Sequence, residues 1–385
     1  MSATESDELL VLYSRLAFYP IHWRALRRIV ARYRAHAVVL AAPEPELSSV
    51  HRAHGTAGGS DERIEVRRAP SGRLARLRWL RSQLRQLRPD ALWLQEEPTD
   101  PFVLEALALH LRDARVRIAC AVCENVFDPL PGPVGRLRTR LWSRLDVLLA
   151  VASPAVHGIR RAGMPSDVRV AQLVAGALEP PRQVVARDLG LRRADGDFVI
   201  GYAGNFTEQK GWRVLFDAVE QLPPRFRLAV AGDGPERAAV EARLANASLA
   251  ERSTYVGLLP KDELWGFYAS VDAIAMPSLT QPRLVEQFGG VLADAMAMGV
   301  PLVGSSSGAI PEVMGPAGLV VAEGDAGLLA DALARLADDE PLRTRLAAAG
   351  PPRFTREFAI DAYADKIAAA LRLRPRAGNG LPSPG

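Results

Sequence analysis

No apolar run in this chain of 385 residues approaches the roughly 20 that a membrane-spanning helix needs. The opening MSATESDELL is acidic and lacks the basic-then-apolar order of a signal peptide, so the protein is expected in the cytoplasm. Thiols are scarce as well. Cys120 and Cys123, in RIACAVCEN, have a spacing that suits a redox pair, but three residues along an extended strand side chains point to opposite faces, and both are read as buried core thiols. No G-x-G-x-x-G occurs, which weighs against a dinucleotide dehydrogenase. The first half has no lysine: residues 1–180 hold 26 Arg against 19 Asp plus Glu, a balance of +7, and the remainder carries −3. That half faces something anionic or merely tolerates arginine.

What is present reads as α/β. At 385 residues the chain is too long for one ordinary core and suits two domains. Apolar runs at Leu9–Tyr13, Ala37–Ala41, Ala91–Leu94, Val116–Val122, Val147–Val151 and Val168–Leu173 predict strands, with helical periodicity between them, first across Trp23–Arg34. Such alternation predicts a largely parallel sheet covered on both faces, whose ligands gather at the carboxyl ends of its strands. Gln95, Glu96 and Glu97 follow one such strand, and Glu124 and Asn125 another; these are candidate ligand contacts or plain loop caps. Arginine is densest from Arg63 to Arg88. There Leu74, Leu77, Leu80, Leu84 and Leu87 form a helical stripe for the core, while Arg73, Arg76, Arg81, Arg85 and Arg88 make either a solvated face or a patch for anionic lipid or a phosphorylated ligand.

The paired prolines and mixed charge of EPPRQVVARDLGLRR (179–193) mark a boundary. They give a first domain over 1–180, a linker at 181–195, a second domain over 196–355, a last helix at 356–371 and a tail at 372–385 of disordered composition. Asp195-Gly196-Asp197 matches the D-x-D of metal-dependent enzymes but reads as a turn, and no metal is expected. Gly201 to Gly204 with Lys210-Gly211 frame a loop from a strand (198–203) into a helix (212–221), and backbone donors with one point charge are a recipe for phosphate. Gly232 and Gly234 end the next strand. In EQFGGVLADAMAMGVP (286–301), Glu286 and two glycines precede a helical pattern that Gly299 and Pro301 close. A helix starting near Gly289 offers unpaired N–H groups and the positive end of its dipole, so Gly289 and Gly290 read as a diphosphate seat. Glu286 and Asp294, with seven residues between them, would flank its ligand, one holding a sugar and the other a ribose.

These residues carry a resemblance. The spacing of Glu286 and Asp294, the turn at Phe288-Gly289-Gly290 and the AMAMGVP ending resemble the signature of family-4 retaining glycosyltransferases of the GT-B fold, with Asp294 where E-x7-E is usual. GYAGNFTEQKGW (201–212), VAGDGP (230–235), YVGLLPKDELWGFYASVDAIAMPS (255–278) and SGAIPEV (307–313) follow in the family's order, so the likeness covers roughly 196–355 and thins before 180. It implies two Rossmann-like, doubly wound domains with an interdomain cleft and a last helix crossing back to the first. It further implies Lys210 on the donor diphosphate and a donor site at Gly204, Asn205, Gly232, Gly234, Phe288, Gly289, Gly290 and Asp294. Glu96, Glu97, Glu124 and Asn125 would then lie on the acceptor side. Three departures stand out: no Gly-rich loop follows the first strand, no His follows the strand before Glu124, and Asn205 replaces an Arg, a cation that Arg213 or Arg283 would have to supply.

The expected activity is metal-independent, retaining transfer of a hexose from a nucleoside diphosphate, a UDP-sugar ahead of a GDP-sugar, to a hydroxyl of a natural product or a cell-envelope glycan or lipid. No cofactor is expected, since the nucleotide sugar is a substrate, and no nucleic acid. Peripheral contact with anionic membrane through the Arg-rich first domain is the second reading of localisation. A sugar phosphorylase or nucleotide-sugar epimerase of similar fold, and a non-catalytic nucleotide-sugar binder, remain alternatives.

Overall fold

A computed structural model describes residues 7–14, 20–41, 61–110, 115–173, 176–191 and 193–376. The chain divides into two units, Met1–Gly176 with Ile360–Gly385, and Ala177–Ala359.

The first unit runs β1 (Glu8–Ser14), α1 (Pro20–Arg32), β2 (Ala35–Ala41), β3 (Ile64–Arg68), α2 (Arg73–Leu87), β4 (Ala91–Leu94), α3 (Pro101–Leu109), β5 (Arg117–Val122), α4 (Gly132–Trp142), β6 (Val147–Ala150), α5 (Ser153–Arg161) and β7 (Arg169–Gln172). Its sheet, in the order β3-β2-β1-β4-β5-β6-β7, is parallel throughout. Strand residues alternate between two cores: Leu10, Leu12 and Trp93 pack with α1 on one face, and Val11, Tyr13 and Leu92 with Leu80 and Leu84 of α2 on the other. Both faces being covered, the inner strands read as nearly continuous apolar runs, unlike the edge strands β3 and β7. The last helix (Ile360–Ala370) shares the core of α1 through Tyr363 and Ile367.

The Arg-rich stretch differs from its reading in two ways. Its first residues form a strand, β3, because Ile64 buries against β2 while Glu65 and Arg68 stay out in solvent. The leucine stripe is also narrower than expected: Leu80 and Leu84 are buried, but Leu74 is 71% exposed. Arg81 bonds Glu105 at 2.7 Å, and Arg76 lies over the Phe102 ring. Of the tail expected to be disordered, residues 372–376 are placed: Pro375 bridges Tyr33, the Arg34 N–H donates to the Arg374 carbonyl at 2.7 Å, and Arg376 pairs with Asp7. The remainder, 377–385, lies outside the described residues.

The second unit runs β8 (Phe198–Asn205), a 3-10 turn (Glu208–Lys210), α6 (Trp212–Gln221), β9 (Phe226–Asp233), α7 (Arg237–Leu244), α8 (Ala247–Ala250), β10 (Ser253–Gly257), α9 (Lys261–Tyr268), β11 (Ala273–Met276), α10 (Gly290–Ala297), β12 (Leu302–Ser305), α11 (Ile310–Met314), β13 (Gly318–Val321), α12 (Ala326–Asp338) and α13 (Glu340–Glu357). Its parallel sheet has the order β10-β9-β8-β11-β12-β13. Helix α6 buries Trp212, Leu215, Phe216 and Val219, a three-and-four spacing in which each large apolar side chain contributes about 1.5–3 kcal/mol. Residues 181–195 belong to this unit: the Arg187 N–H donates to the Gly266 carbonyl, and Arg193 pairs with Asp272. Gly196 has φ 85° in a turn closed by Asp197, whose carboxylate accepts the Ala194 N–H and pairs with Arg227. Among the described residues no helix is long and apolar enough to cross a membrane.

Candidate functional site

Strand order in the second unit reverses between β8 and β11, and the loops leaving those two strands carry its polar centre. β8 feeds the 3-10 turn that ends on Lys210. Gly211, with φ 66°, then starts α6; a Cβ there would lie 1.9 Å from the Pro277 carbonyl oxygen, so only glycine lets this loop close against the one leaving β11. The closure brings Lys210 Nζ to 2.7 Å from Glu286 Oε2, which also accepts the Ser278 hydroxyl at 2.9 Å. Glu286 is 5% exposed, so the pair interacts in a medium far less screening than water. Burial first, and the Glu286 carboxylate next, push the Tyr202 phenol up and keep it neutral.

The helix after this loop, α10, begins as read. Gly289 is its N-cap at φ 72°, where a Cβ would meet Met276 Cε at 2.7 Å, whereas a Cβ on Gly290 would meet nothing within 4 Å. The helix closes through Gly299, φ 66°, with the Val300 N–H donating to the Ala295 carbonyl at 2.9 Å. On its buried side Asp294, 6% exposed, pairs through Oδ2 with Lys261 and accepts the Tyr268 hydroxyl at 3.3 Å.

Around the other donor-side candidates the chain packs closely on itself, although Asn205 is exposed. Gly204 stands opposite Gly232, whose Cβ would lie 1.9 Å from the Gly204 carbonyl oxygen, and a Cβ on Gly234 would lie 2.4 Å from Asn205 Oδ1. Phe288 packs its ring on Phe358. Arg213 is engaged by Glu236 at 2.9 Å and stacks over Trp212. The small residues at 305–308 bring backbone to Glu286 itself: a Cβ on Gly308 would lie 2.2 Å from the Glu286 carbonyl oxygen.

Residues 197–339 match the family model described as glycosyl transferases group 1. A lipopolysaccharide core biosynthesis glycosyltransferase of Rhizobium meliloti, LpsE, is 33% identical over 244 residues, which are 61% of this chain and 68% of that protein. The chain belongs to the group 1 glycosyl transferases. A 2-deoxystreptamine glucosyltransferase of Streptomyces kanamyceticus is 32% identical over 53% of this chain and 54% of its own length. A 2-deoxystreptamine N-acetyl-D-glucosaminyltransferase of Streptomyces fradiae is 29% identical over 47% and 43%, so the match spans about half of each of these two. The solved structure of Anabaena Alr3699/HepE in complex with UDP superposes with a TM-score of 0.68 at 18% identity, covering 94% of this chain and 99% of that one. That likeness and the two doubly wound sheets are those of the GT-B fold.

In the first unit of this group 1 transferase the strand order reverses between β1 and β4, and Glu97 follows β4. Its Oε1 accepts the N–H groups of Cys123 at 2.9 Å and Glu124 at 3.1 Å, so one carboxylate ties the loop after β4 to the loop after β5. Asn125 is buried there, Glu124 is exposed, and the Glu96 carbonyl accepts the Cys120 thiol. Cys120 is a buried core thiol as expected, whereas Cys123 is only half-buried; burial pushes both thiols up, which leaves them protonated and poorly nucleophilic. His22 packs edge-on against Trp93.

Burial also pushes the Glu97 carboxyl from 4.5 up to about 7, against its two backbone hydrogen bonds and with Glu124 and Glu96 adding to the rise. The folded chain therefore holds this proton more tightly than the unfolded chain does. Between about pH 4.5 and 7 stability is expected to fall as pH rises, by at most about 1.4 kcal/mol per pH unit. Glu97→Gln, which keeps an acceptor for the two N–H groups and cannot ionise, is expected to flatten this window. Urea midpoints of both proteins at four pH values test it; equal slopes would mean that Glu97 is ordinary.

Lys261, the partner of Asp294, is the residue that pattern reading passed over, although it lies inside a recognised segment. Its signal was scarcity: of the 48 lysines and arginines only Lys210, Lys261 and Lys366 are lysines.

Proposed function

We propose that the protein is a family-4 retaining glycosyltransferase moving a hexose from a nucleoside diphosphate, UDP-sugar ahead of GDP-sugar, to a hydroxyl acceptor, without a metal. The observation that carries this reading is the clamp of Lys210, Glu286 and Ser278 at the strand-order reversal, next in the chain to the N-terminus of α10. An incoming diphosphate competes with Glu286 for Lys210. Lys210 and the N–H groups of Gly289 and Gly290 then meet the charge that builds on the departing diphosphate, and Glu286 is released to accept hydrogen bonds from sugar hydroxyls. Asp294 holds the ribose. Retention requires the acceptor hydroxyl to arrive on the face the diphosphate leaves.

Glu96, Glu97, Glu124 and Asn125 of the first unit are assigned to the acceptor. Relatives named for 2-deoxystreptamine and for lipopolysaccharide core support a natural-product or cell-envelope acceptor. The protein works in the cytoplasm, and the engagement of Arg81 by Glu105 favours a solvated arginine face over a membrane patch.

Thermal melts with UDP-, GDP- and dTDP-sugars, all in EDTA, test the donor half. A ligand of the folded state at 100 times its Kd adds about 2.7 kcal/mol, a shift of several degrees, and one nucleotide series is expected to give it. No shift with any of them, or a shift that appears only when Mg2+ replaces EDTA, would sink the assignment.

A further inference from the structure

In a chain that draws nearly all its positive charge from arginine, two of the three lysines face the two carboxylates of the Glu286–Asp294 spacing. The arrangements repeat. Glu286 Oε2 takes Lys210 and the Ser278 hydroxyl; Asp294 Oδ2 takes Lys261 and the Tyr268 hydroxyl. An ammonium at both places suits a need for a compact point charge in place of a planar fork.

Lys261 holds its position against the local field. It is the first residue of α9, at the positive end of that helix dipole, where acids such as its neighbours Asp262 and Glu263 are favoured. Its Nζ lies 4.4 Å from the centre of the Trp265 ring, so an aromatic face and a carboxylate fix it together. Burial, and then the Asp294 carboxylate, push the Tyr268 phenol up, so it remains a neutral donor. Both donors use Oδ2. Among the described residues no hydrogen bond reaches Oδ1 of Asp294.

We propose that Lys261 is a positioning residue that makes the donor site select ribose: with Tyr268 it occupies one oxygen of Asp294 and turns the other to the hydroxyls of the nucleotide sugar ring. This rests on the reading of Asp294 as the ribose contact. Asp294 is one methylene shorter than the Glu of the resembling signature, so its carboxylate has less reach of its own, and a clamped oxygen rejects a ring that lacks hydroxyls more strongly than a swinging one.

UDP and GDP, each beside its 2′,3′-dideoxy counterpart, are titrated calorimetrically into the wild type, Lys261→Met and Lys261→Arg. The wild type is expected to bind one ribonucleotide at least about tenfold more tightly than its dideoxy form. In Lys261→Met the two are expected to bind within about threefold of each other. That variant leaves a buried carboxylate without its counter-charge and is titrated at low temperature to keep it folded, so Lys261→Arg carries the test independently. Its guanidinium keeps the charge but spans both oxygens of Asp294, and it too is expected to lose the ribose preference. A wild-type preference that survives in Lys261→Arg, or equal weakening of both forms in Lys261→Met, overturns the proposal. Absence of binding of either nucleotide to the wild type is a different result, the failure of the donor reading itself.

Discussion

Glu286→Gln should fold as the wild type does and hydrolyse or transfer donor about a hundred to a thousand times more slowly, the cost of removing one preorganised group at a reacting centre. The amide keeps the size of the side chain and can still accept from Ser278, so the loss falls on charge. Lys210 is a less simple probe than its part in holding phosphate suggests. Glu286 is nearly buried, and Lys210→Met would leave it without its counter-charge, a change that costs about 3–5 kcal/mol in buried pairs. Lys210→Met is therefore expected to be both slow and unstable, and Lys210→Met with Glu286→Gln to recover stability while remaining inactive. Denaturant midpoints and donor hydrolysis, measured on all three, separate the two effects. A folded Glu286→Gln with near-normal hydrolysis would take Glu286 out of the chemistry, and a double variant no steadier than Lys210→Met would show that the pair is not coupled.

Much of the second unit was legible because its sequence agrees with itself at every level. α6 spans the residues its apolar spacing gives, from Trp212 to Gln221, and α10 starts and stops at glycines with φ near 70°. α13 was harder to end. It runs on through Pro351 and Pro352 to Glu357, because Phe354 is buried and Gly350 packs closely against Met296, so tertiary contacts outweigh the missing N–H groups. β3 was hidden for another reason: Ile64-Glu65-Val66-Arg67 does alternate, but this edge strand is only five residues long, buries only Ile64 and lies inside the Arg-dense stretch. At the site, Lys210 and Glu286 were each legible as donor contacts, the one for the diphosphate and the other for the sugar, but their ion pair was not. Nor was the partner of Asp294, since Lys261 reaches it from a helix 33 residues upstream and only the fold brings them together.

Two glycines that look alike in the sequence are expected to respond in opposite ways to a single added methyl. At Gly211 the backbone is left-handed and a Cβ would sit 1.9 Å from the Pro277 carbonyl oxygen. Left-handed backbone costs an ordinary residue about 1–2 kcal/mol and overpacking adds about 1–3, so Gly211→Ala is expected to lose about 2–5 kcal/mol of stability and to pull Lys210 away from Glu286. Gly290 has neither constraint. Its φ is not positive, nothing lies within 4 Å of a Cβ built there, and alanine suits the first turn of a helix better than glycine does. Gly290→Ala is therefore expected to be as stable as the wild type or slightly more so, yet to bind donor about tenfold more weakly, because the open space is where a phosphate would approach the N–H groups of α10. Melting curves and nucleotide titrations of the two variants decide the matter. If Gly290→Ala binds as the wild type does, the start of α10 is not the diphosphate seat, and Lys210 alone would carry that charge.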